Sequence, residues 1–218
     1  MLICPSESWG PFNDVLFVLD CLRALLYIRR MARPRSEDKR NALMAAATRV
    51  IVTQGLSAPT AMIAQEVAVS NGSLFTYFET KADLFNQLYL EIKTGMASAA
   101  LEGLPAKAEL REQFFHIWSN WMRWAVSNPE KRRALAQLGV SDEITPATRT
   151  AGHKTMAKIA ELMERCRSNG PMRDAPKGFV SAIMNSMAEA TMDFMVQDPT
   201  NAKKHCKVGF DALWRVIA

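Results

Sequence analysis

The segment Ile63–Lys81, IAQEVAVSNGSLFTYFETK, predicts two short helices joined by a turn too tight for an ordinary helical hairpin. Ile63 and Ala64 lie on one face of the first helix, and the small Ala64 side chain allows a second helix to cross closely. Ser70 is a good N-cap, so we expect the second helix to begin near Asn71. This arrangement is typical of a helix-turn-helix.

The second helix of this motif has a small, polar first turn and an apolar back. Residues Asn71–Ser73 form the polar turn, whereas Leu74, Phe75 and Phe78 are expected to anchor the helix in the core. Such a helix fits the major groove of DNA, where the amide dipoles of its first turn also favour phosphate. A helical corner inside an all-α core has the same pattern, so the pattern alone leaves both interpretations open.

The sequence VSNGSLFTYFETKADLF, residues 69–85, resembles the TetR family of bacterial transcriptional regulators. In that family the segment runs from the turn through the recognition helix into a connecting helix. The resemblance is close over Glu37–Glu91 and extends to the rest of the chain only in helix layout. It implies an all-α fold, with an N-terminal three-helix helix-turn-helix head and a C-terminal helical bundle for ligand binding and dimerisation.

The resemblance also implies that the head binds double-stranded operator DNA. The residues expected to contact DNA are Arg33, Arg35, Thr60, Ser70, Asn71, Gly72, Ser73, Thr76, Tyr77 and Lys81. Among them, Asn71, Ser73 and Thr76 are expected to read base edges. Tyr77 and Lys81 are expected to hold phosphates and to set the register on the duplex.

The chain departs from the family pattern at three positions of the motif. Ala68 occupies a turn position where the family usually has Gly, so the backbone there must reach its conformation without a residue that tolerates positive φ. Asn71 replaces a frequent Lys or Arg, which removes one DNA contact. Glu79 replaces a usual Pro, but Thr80 and Asp83 still form an N-cap with an acid at N3, so the connecting helix should keep its start.

The composition predicts a globular protein with a sizeable core, because 49% of the 218 residues are hydrophobic. The formal net charge of +5 suits a polyanionic partner. Residues 31–98, however, contain seven basic and six acidic side chains, so DNA affinity must depend on where a few cations are placed.

The motif content argues against an enzyme and against a resident cofactor. We find no GxSxG, P-loop or HExxH motif, and no pair of carboxylates on an apolar helix face. The four cysteines form no CxxC pair, which predicts no metal site and favours reduced, buried thiols in a cytoplasmic protein. Two alternatives stay open: an all-α small-molecule-binding protein or enzyme with an incidental helix corner, and an architectural DNA-binding protein, which would need no aromatic-lined second domain.

The loop Gly103-Leu104-Pro105 marks a change in character along the chain. We divide the chain into an N-terminal extension, a helix-turn-helix head, a linking helix and a ligand-binding and dimerisation body, which cover residues 1–30, 31–80, 81–102 and 103–218. The extension is interpreted as non-native sequence, a disordered segment, or a helix on a partner or membrane surface. Its apolar run is interrupted by Asp20 and Arg23 and is too short to span a membrane.

The rest of the chain predicts consecutive helices and no strand. The helices expected are Ser36–Gln54, Thr80 to about Ala100, Glu109–Val126, one from Pro129, one continuous helix from Thr145 to about Ser168, one from Pro176 to about Gln197, and Pro199–Ile217. The stretch Phe179–Val196 is apolar nearly all round, which indicates two apolar neighbours. In the family the last two helices form a dimer interface, whereas a central helix of a monomer would show the same pattern.

Two sets of residues in the body are candidates for binding. Tryptophan and methionine side chains suit a small apolar or planar effector, and the predicted pocket residues are Phe115, Trp118, Trp121, Met122, Met156, Met184 and Met187. Ordinary core packing explains the same side chains equally well. The predicted dimer-interface residues are Phe179, Ile183, Met195, Phe210, Leu213 and Trp214.

Overall fold

The computed structural model describes residues 36–218, and every regular element within them is helical, so the predicted all-α fold is confirmed. The chain divides into two compact units, Met1–Ala45 and Ala46–Ala218. The described part of the first unit belongs to helix α1, which spans 36–54. The extension, residues 1–30, lies outside the described residues. No helix in the described range is both long enough and apolar enough to cross a lipid bilayer.

The helices after α1 follow one another with short connections. They are α2 (Thr60–Glu66), α3 (Asn71–Leu74), α4 (Lys81–Leu101), α5 (Leu110–Ser127), α6 (Pro129–Gly139), α7 (Pro146–Thr155), α8 (Ala157–Arg167), α9 (Lys177–Gln197), a 3₁₀ turn (Pro199–Asn201) and α10 (Ala202–Ile217). The predicted motif, Ile63–Lys81, runs from α2 through α3 to the first residue of α4, and α4 is the predicted linking helix.

The start of α4 confirms the capping predicted at this position. The Thr80 hydroxyl accepts a hydrogen bond from the Asp83 amide at 3.0 Å, which satisfies one of the free donors of the first turn. The Asp83 carboxylate in turn accepts from the Glu79 amide at 3.0 Å. Glu79 in place of the usual proline therefore leaves the helix start intact.

The turn between α2 and α3 depends on Ala68, whose φ of 53° is the only positive value among the non-glycine residues of the described chain. The Ala68 amide donates to the Gln65 carbonyl, and the Val69 amide donates to the Ala64 carbonyl, both at 3.0 Å. These two bonds complete a Schellman motif, in which the residue after the C-cap adopts the left-handed conformation. Ala68 therefore adopts a strained left-handed conformation that glycine could adopt without strain.

One predicted helix is wrong: the stretch from Thr145 to Ser168 forms two helices, α7 and α8, that meet at Met156. Met156 has φ −94° and ψ 2°, outside the helical range, and its amide bonds the His153 carbonyl three residues back at 3.0 Å. Gly152 packs directly on Tyr89 of α4, where an added Cβ would lie 2.8 Å from a ring carbon. Gly152 and Thr155, which come directly before the break, are weak helix formers, so local propensity does little to keep the helix continuous there.

The body has one aromatic core between α5 and α10. The Phe115 and Phe210 ring centroids lie 4.9 Å apart, and those of Phe114 and Phe210 lie 6.0 Å apart. Trp118 is fully buried, and its indole N–H donates to the Cys206 carbonyl at 3.0 Å, so its polar atom is satisfied inside the core.

Helices α9 and α10 cross closely at Thr191 and Gly209. A Cβ on Gly209 would lie 2.2 Å from the Thr191 hydroxyl oxygen. Thr191 is buried, and its hydroxyl donates to the Met187 carbonyl at 2.7 Å, which leaves it little freedom to move away. The crossing therefore requires a residue without a side chain.

We predict that Gly209→Ala lowers the free energy of unfolding by about 1 to 3 kcal/mol, because the new methyl group overpacks the crossing. Gly95→Ala is the matched control, since Gly95 also lies inside a helix but an added Cβ would have no neighbour within 4 Å. The control should gain about 1 kcal/mol from helix propensity. Urea denaturation followed by circular dichroism measures both, and equal gains in the two variants would contradict the close crossing.

We predict that Ala68→Gly raises the free energy of unfolding by about 0.5 to 1 kcal/mol, since it relieves the left-handed strain at some cost in chain entropy. Ala61→Gly in α2, an exposed helical position, should lower it by about 1 kcal/mol. The same denaturation experiment distinguishes them, and destabilisation by both would rule out strain at Ala68.

Candidate DNA-binding surface and ligand cavity

Helix α3 buries one side and exposes the other. The Ser70 hydroxyl accepts from the Ser73 amide at 3.1 Å, which confirms Ser70 as the N-cap. Leu74 and Phe78 are fully buried, whereas Phe75 is 42% exposed. The expectation that Phe75 anchors the helix is wrong, because a residue next to Leu74 is turned about 100° away from the face that Leu74 and Phe78 share.

Most predicted DNA-contacting residues in the described chain keep accessible side chains. Ser70, Asn71, Gly72 and Thr76 are exposed, and Thr60, Ser73, Tyr77 and Lys81 are half-buried. The Thr76 hydroxyl donates to the Ser73 carbonyl at 2.7 Å, and the Lys81 ammonium lies 5.4 Å from the centroid of the Phe85 ring. Arg33 and Arg35 lie outside the described residues.

An ion pair that sequence patterns do not indicate joins α1 to α2. The Arg49 guanidinium lies 2.8 Å from the Glu66 carboxylate, and both side chains are partly exposed. The pair fixes the end of α2, directly before the turn. Its partners are 17 residues apart in sequence, so no helical spacing predicts the contact.

A cavity of about 500 Å³ lies in the body, and residues of α4, α5, α8 and α9 line it together with His153 of α7 and Met156. Predicted pocket residues that line it are Trp118, Trp121, Met156 and Met184. Further apolar lining comes from Met163 and from residues that were not predicted: Met96, Ala100, Phe114, Ile117, Ile159 and Ala160. Cavities of this volume and character accommodate drug-sized ligands.

Three predicted pocket residues, Phe115, Met122 and Met187, do not line this cavity. Phe115 packs on Phe210 of α10 instead, and Met122 is completely buried in the core. Met187 is half-buried on α9. Apolar spacing indicates which side chains turn inward, but it does not distinguish a cavity wall from a filled core.

The cavity wall includes a lysine, Lys93, on the otherwise apolar inner side of α4. Its ammonium lies 5.5 Å from the centroid of the Tyr89 ring, and burial lowers the pKa of Lys93. Leu88, Ile92 and Met96 form the buried stripe of this part of α4. Lys93 follows Ile92 directly, and a cation next to such a stripe is the sequence signal that could have indicated a charged residue in the cavity wall.

A second cavity, of about 390 Å³, shares part of its wall with the first. The residues common to the two cavities are Lys93, Met96, Trp121, His153 and Asn185. The second cavity is also lined by Arg132 and Arg149, so it is more polar than the first. Lys93 therefore stands where an apolar cavity meets a polar one.

The arginines of the second cavity already have partners. Arg132 pairs with Glu189 at 3.4 Å and with Asp193 at 2.5 Å. The Arg149 guanidinium donates to the Gly139 carbonyl at 2.6 Å and to the Ser141 carbonyl at 2.7 Å.

The connection that leads into α9 is held by a buried arginine, Arg167. Its guanidinium donates to the carbonyls of Met172, Arg173 and Ala175 at 2.7 to 3.0 Å, and it forms two bonds to Glu164 at 2.8 and 2.9 Å. The hydrogen bond from Arg167 lowers the pKa of the Glu164 carboxyl. These bonds fix the connection directly before α9, and the first turn of α9 borders the cavity.

The side chain of Asn86 ties α4 to the segment before α7. Its amide nitrogen donates to the Ala82 and Glu143 carbonyls, each at 2.7 Å. Its amide oxygen accepts from the Thr145 amide at 3.0 Å. The first turn of α7 is thereby attached to the linking helix.

The predicted dimer-interface residues divide into two groups. Met195, Phe210 and Leu213 are buried within the chain and belong to its own core. Phe179 is 56% exposed, and Ile183 and Trp214 are half-buried. Phe194 and Val208, which belong to the same two apolar helices, are 57% and 58% exposed. Within residues 36–218, then, α9 is not a fully buried central helix.

The sulfur chemistry of the described residues is that of core packing. Cys166 and Cys206 are free and buried, and burial raises the pKa of the Cys166 thiol to about 11. Over residues 36–218 no group of three or more His, Cys, Asp or Glu side chains is placed to hold a metal ion.

Comparison with known proteins gives a consistent result. Residues 43–88 match the family model for bacterial regulatory proteins of the tetR family. A TetR family transcription regulator from Shewanella sp. PV-4 has 25% identity and a TM-score of 0.72, over 81% of this chain and 96% of that one. One from Marinobacter aquaeolei VT8 has 21% identity and a TM-score of 0.70, over 84% and 96%.

A third structure shares the fold at lower identity. The transcriptional regulator FadR from Bacillus subtilis, in complex with stearoyl-CoA, has 14% identity and a TM-score of 0.61, over 81% of this chain and 98% of that one. The family match covers the segment that contains the turn, the polar face of α3 and the capped start of α4. Residues 43–88 therefore carry the DNA-binding domain of the tetR family of bacterial regulatory proteins, and the described chain shares the fold of solved TetR family transcriptional regulators.

Proposed function

We propose that this chain is a repressor that binds palindromic operator DNA as a homodimer and releases it when a small effector enters the body. In this proposal residues 31–80 bind DNA, residues 81–102 link the head to the body, and residues 103–218 bind both the effector and the second copy of the chain. The main observation in support of this proposal is that the side of α3 opposite the buried Leu74 and Phe78 is polar and exposed. Regulators of this family are generally non-enzymatic, and such a protein would act on DNA in the cytoplasm.

The DNA contacts proposed for α3 and the start of α4 are of two kinds. Asn71, Ser73 and Thr76 present short polar groups suited to base edges in the major groove. Tyr77 and Lys81 lie where the chain leaves α3 and enters α4, so they are suited to phosphates. The two kinds differ in how a substitution changes specificity and salt dependence.

We predict that Lys81→Ala weakens binding to all DNA sequences alike and reduces the salt dependence by about one counterion. Asn71→Ala should instead relax the preference at one base position by about 1 to 3 kcal/mol. The operator would first be selected from random DNA, and both variants titrated against single-base variants at several salt concentrations. Lys131→Ala, an exposed position on α6, is the control. Equal effects of both variants on every sequence would contradict the assignment of α3.

The proposed dimer uses the outer face of α9 and α10. Phe179 and Phe194 on α9 and Val208 on α10 are more than half exposed, although large apolar side chains elsewhere in the described body are mostly buried. A second copy that covers the same face forms a two-fold interface, which matches the two-fold symmetry of a palindromic operator.

We predict that Phe194→Glu yields a monomer that binds the operator at least tenfold more weakly, because a carboxylate would have to be buried in the interface. Val140→Glu is the matched control, since Val140 is 84% exposed and lies after α6. Sedimentation velocity measures the oligomeric state, and fluorescence anisotropy measures operator affinity. A dimeric Phe194 variant would exclude this face as the interface.

Effector control is proposed to act through α4. This helix begins three residues after Phe78 and carries Lys93, Met96 and Ala100 into the cavity wall. The two half-sites of an operator lie one helical turn, about 34 Å, apart. An effector that favours a different distance between the two heads of the dimer would weaken simultaneous binding to both half-sites. A differential affinity of about 3 kcal/mol gives a roughly hundredfold release. The stearoyl-CoA complex of the Bacillus subtilis protein, which has the same fold, supports a ligand that contains an apolar chain.

A further inference from the structure

We propose that the ligand of the apolar cavity is an aliphatic or aromatic molecule with a single carboxylate, and that Lys93 binds the carboxylate. This inference rests on the proposed function, because it names the chemical class of the effector. It goes beyond that function in assigning a charge to the effector and a residue that selects it.

The first observation is the surroundings of Lys93. The cavity that it lines is otherwise walled mainly by apolar side chains, among them Trp121, Met96 and Met163. An aliphatic or aromatic body can fill this space, and the thioethers can adapt to its shape. Lys93 supplies a point of charge at the edge of that space, next to the polar second cavity.

The second observation is the absence of an acidic partner. Within residues 36–218, no carboxylate lies within ion-pairing distance of the Lys93 ammonium, and its close neighbour is the Tyr89 ring. The other cations around the two cavities are engaged: Arg132 by carboxylates and Arg149 by carbonyls. Lys177, which also lines the first cavity, is exposed and lies 3.5 Å from Glu164.

These two observations together define the missing group. A desolvated ammonium without a counter-charge is costly, and a ligand that supplies an anion removes that cost. A neutral ligand of the same shape fills the cavity but leaves the charge unpaired, and a cationic ligand adds repulsion. The geometry therefore favours a carboxylate on an apolar body over the corresponding alcohol or amine.

The direct test compares acids with neutral molecules of the same body. Decanoate and 1-decanol form an aliphatic pair, and 2-naphthoate and 2-naphthol form an aromatic pair. Titration calorimetry at pH 7 on the full chain gives the affinities, and a change in tryptophan fluorescence, to which the lining Trp118 and Trp121 contribute, reports occupancy of the cavity. In at least one pair we expect the acid to bind about tenfold to a hundredfold more tightly, as a charge-assisted hydrogen bond would give.

Two matched variants assign the selection to one residue. Lys93→Met keeps a flexible, unbranched side chain that is one atom shorter and removes its charge, so the acid should lose its advantage while the alcohol binds as well as before or better. This variant should remain folded, because it removes an unpaired charge, and its melting temperature checks that. Lys177→Met removes a lining lysine that already has an acidic partner, and the preference for the acid should persist.

Several results would overturn the inference. They are equal affinities for acid and alcohol in both pairs, failure of both acids to bind, a preference that survives in Lys93→Met, and a preference that is lost in Lys177→Met.

Titration of the selected operator with and without the acid separates this inference from the proposed function. Lys93-dependent binding of the acid without release of DNA would support the carboxylate site and count against the effector role. Release of DNA by the alcohol, unchanged in Lys93→Met, would support effector control and overturn the carboxylate site.

Discussion

The packing of α4 against α5 and α7 is the constraint on which the rest of the body depends. Gly152 allows α7 to approach so closely that Tyr89 lies directly against its backbone. Tyr89 in turn lies beside Lys93, so the same contact that sets the distance between the two helices also desolvates the lysine. The close packing of α7 on α4 thus shapes the cavity wall and partly buries the lysine that gives the wall its charge.

The elements that the sequence predicts well are those governed by local chemistry. Ser70 and Thr80 cap their helices as hydroxyl side chains at such positions do, and both act over only three residues. Such caps need no knowledge of the neighbouring helices, so the sequence alone is sufficient to predict them. The left-handed conformation of Ala68 was expected instead from the resemblance to a family that usually has glycine at this position.

The elements that the sequence predicts poorly depend on which helix lies opposite. The break at Met156 has no proline, and it arises where α7 packs on α4. Phe115 and Met122 lie on apolar spacing, but α5 directs them toward α10 and the core rather than the cavity. Lys93 was overlooked because a charged residue is ordinarily assumed to face solvent. Periodicity gives the inner face of a helix, whereas the cavity depends on how three or more such faces meet.

The three hydrogen bonds of Asn86 have a mechanical consequence. Because this one side chain holds both the backbone of α4 and the first residues of the α7 segment, the N-terminal part of α4 and the start of α7 must move together as one body. A change of backbone torsions in Glu79–Lys81, between the end of α3 and the second turn of α4, would leave that connection intact but would break the cap bonds that Thr80 and Asp83 make there.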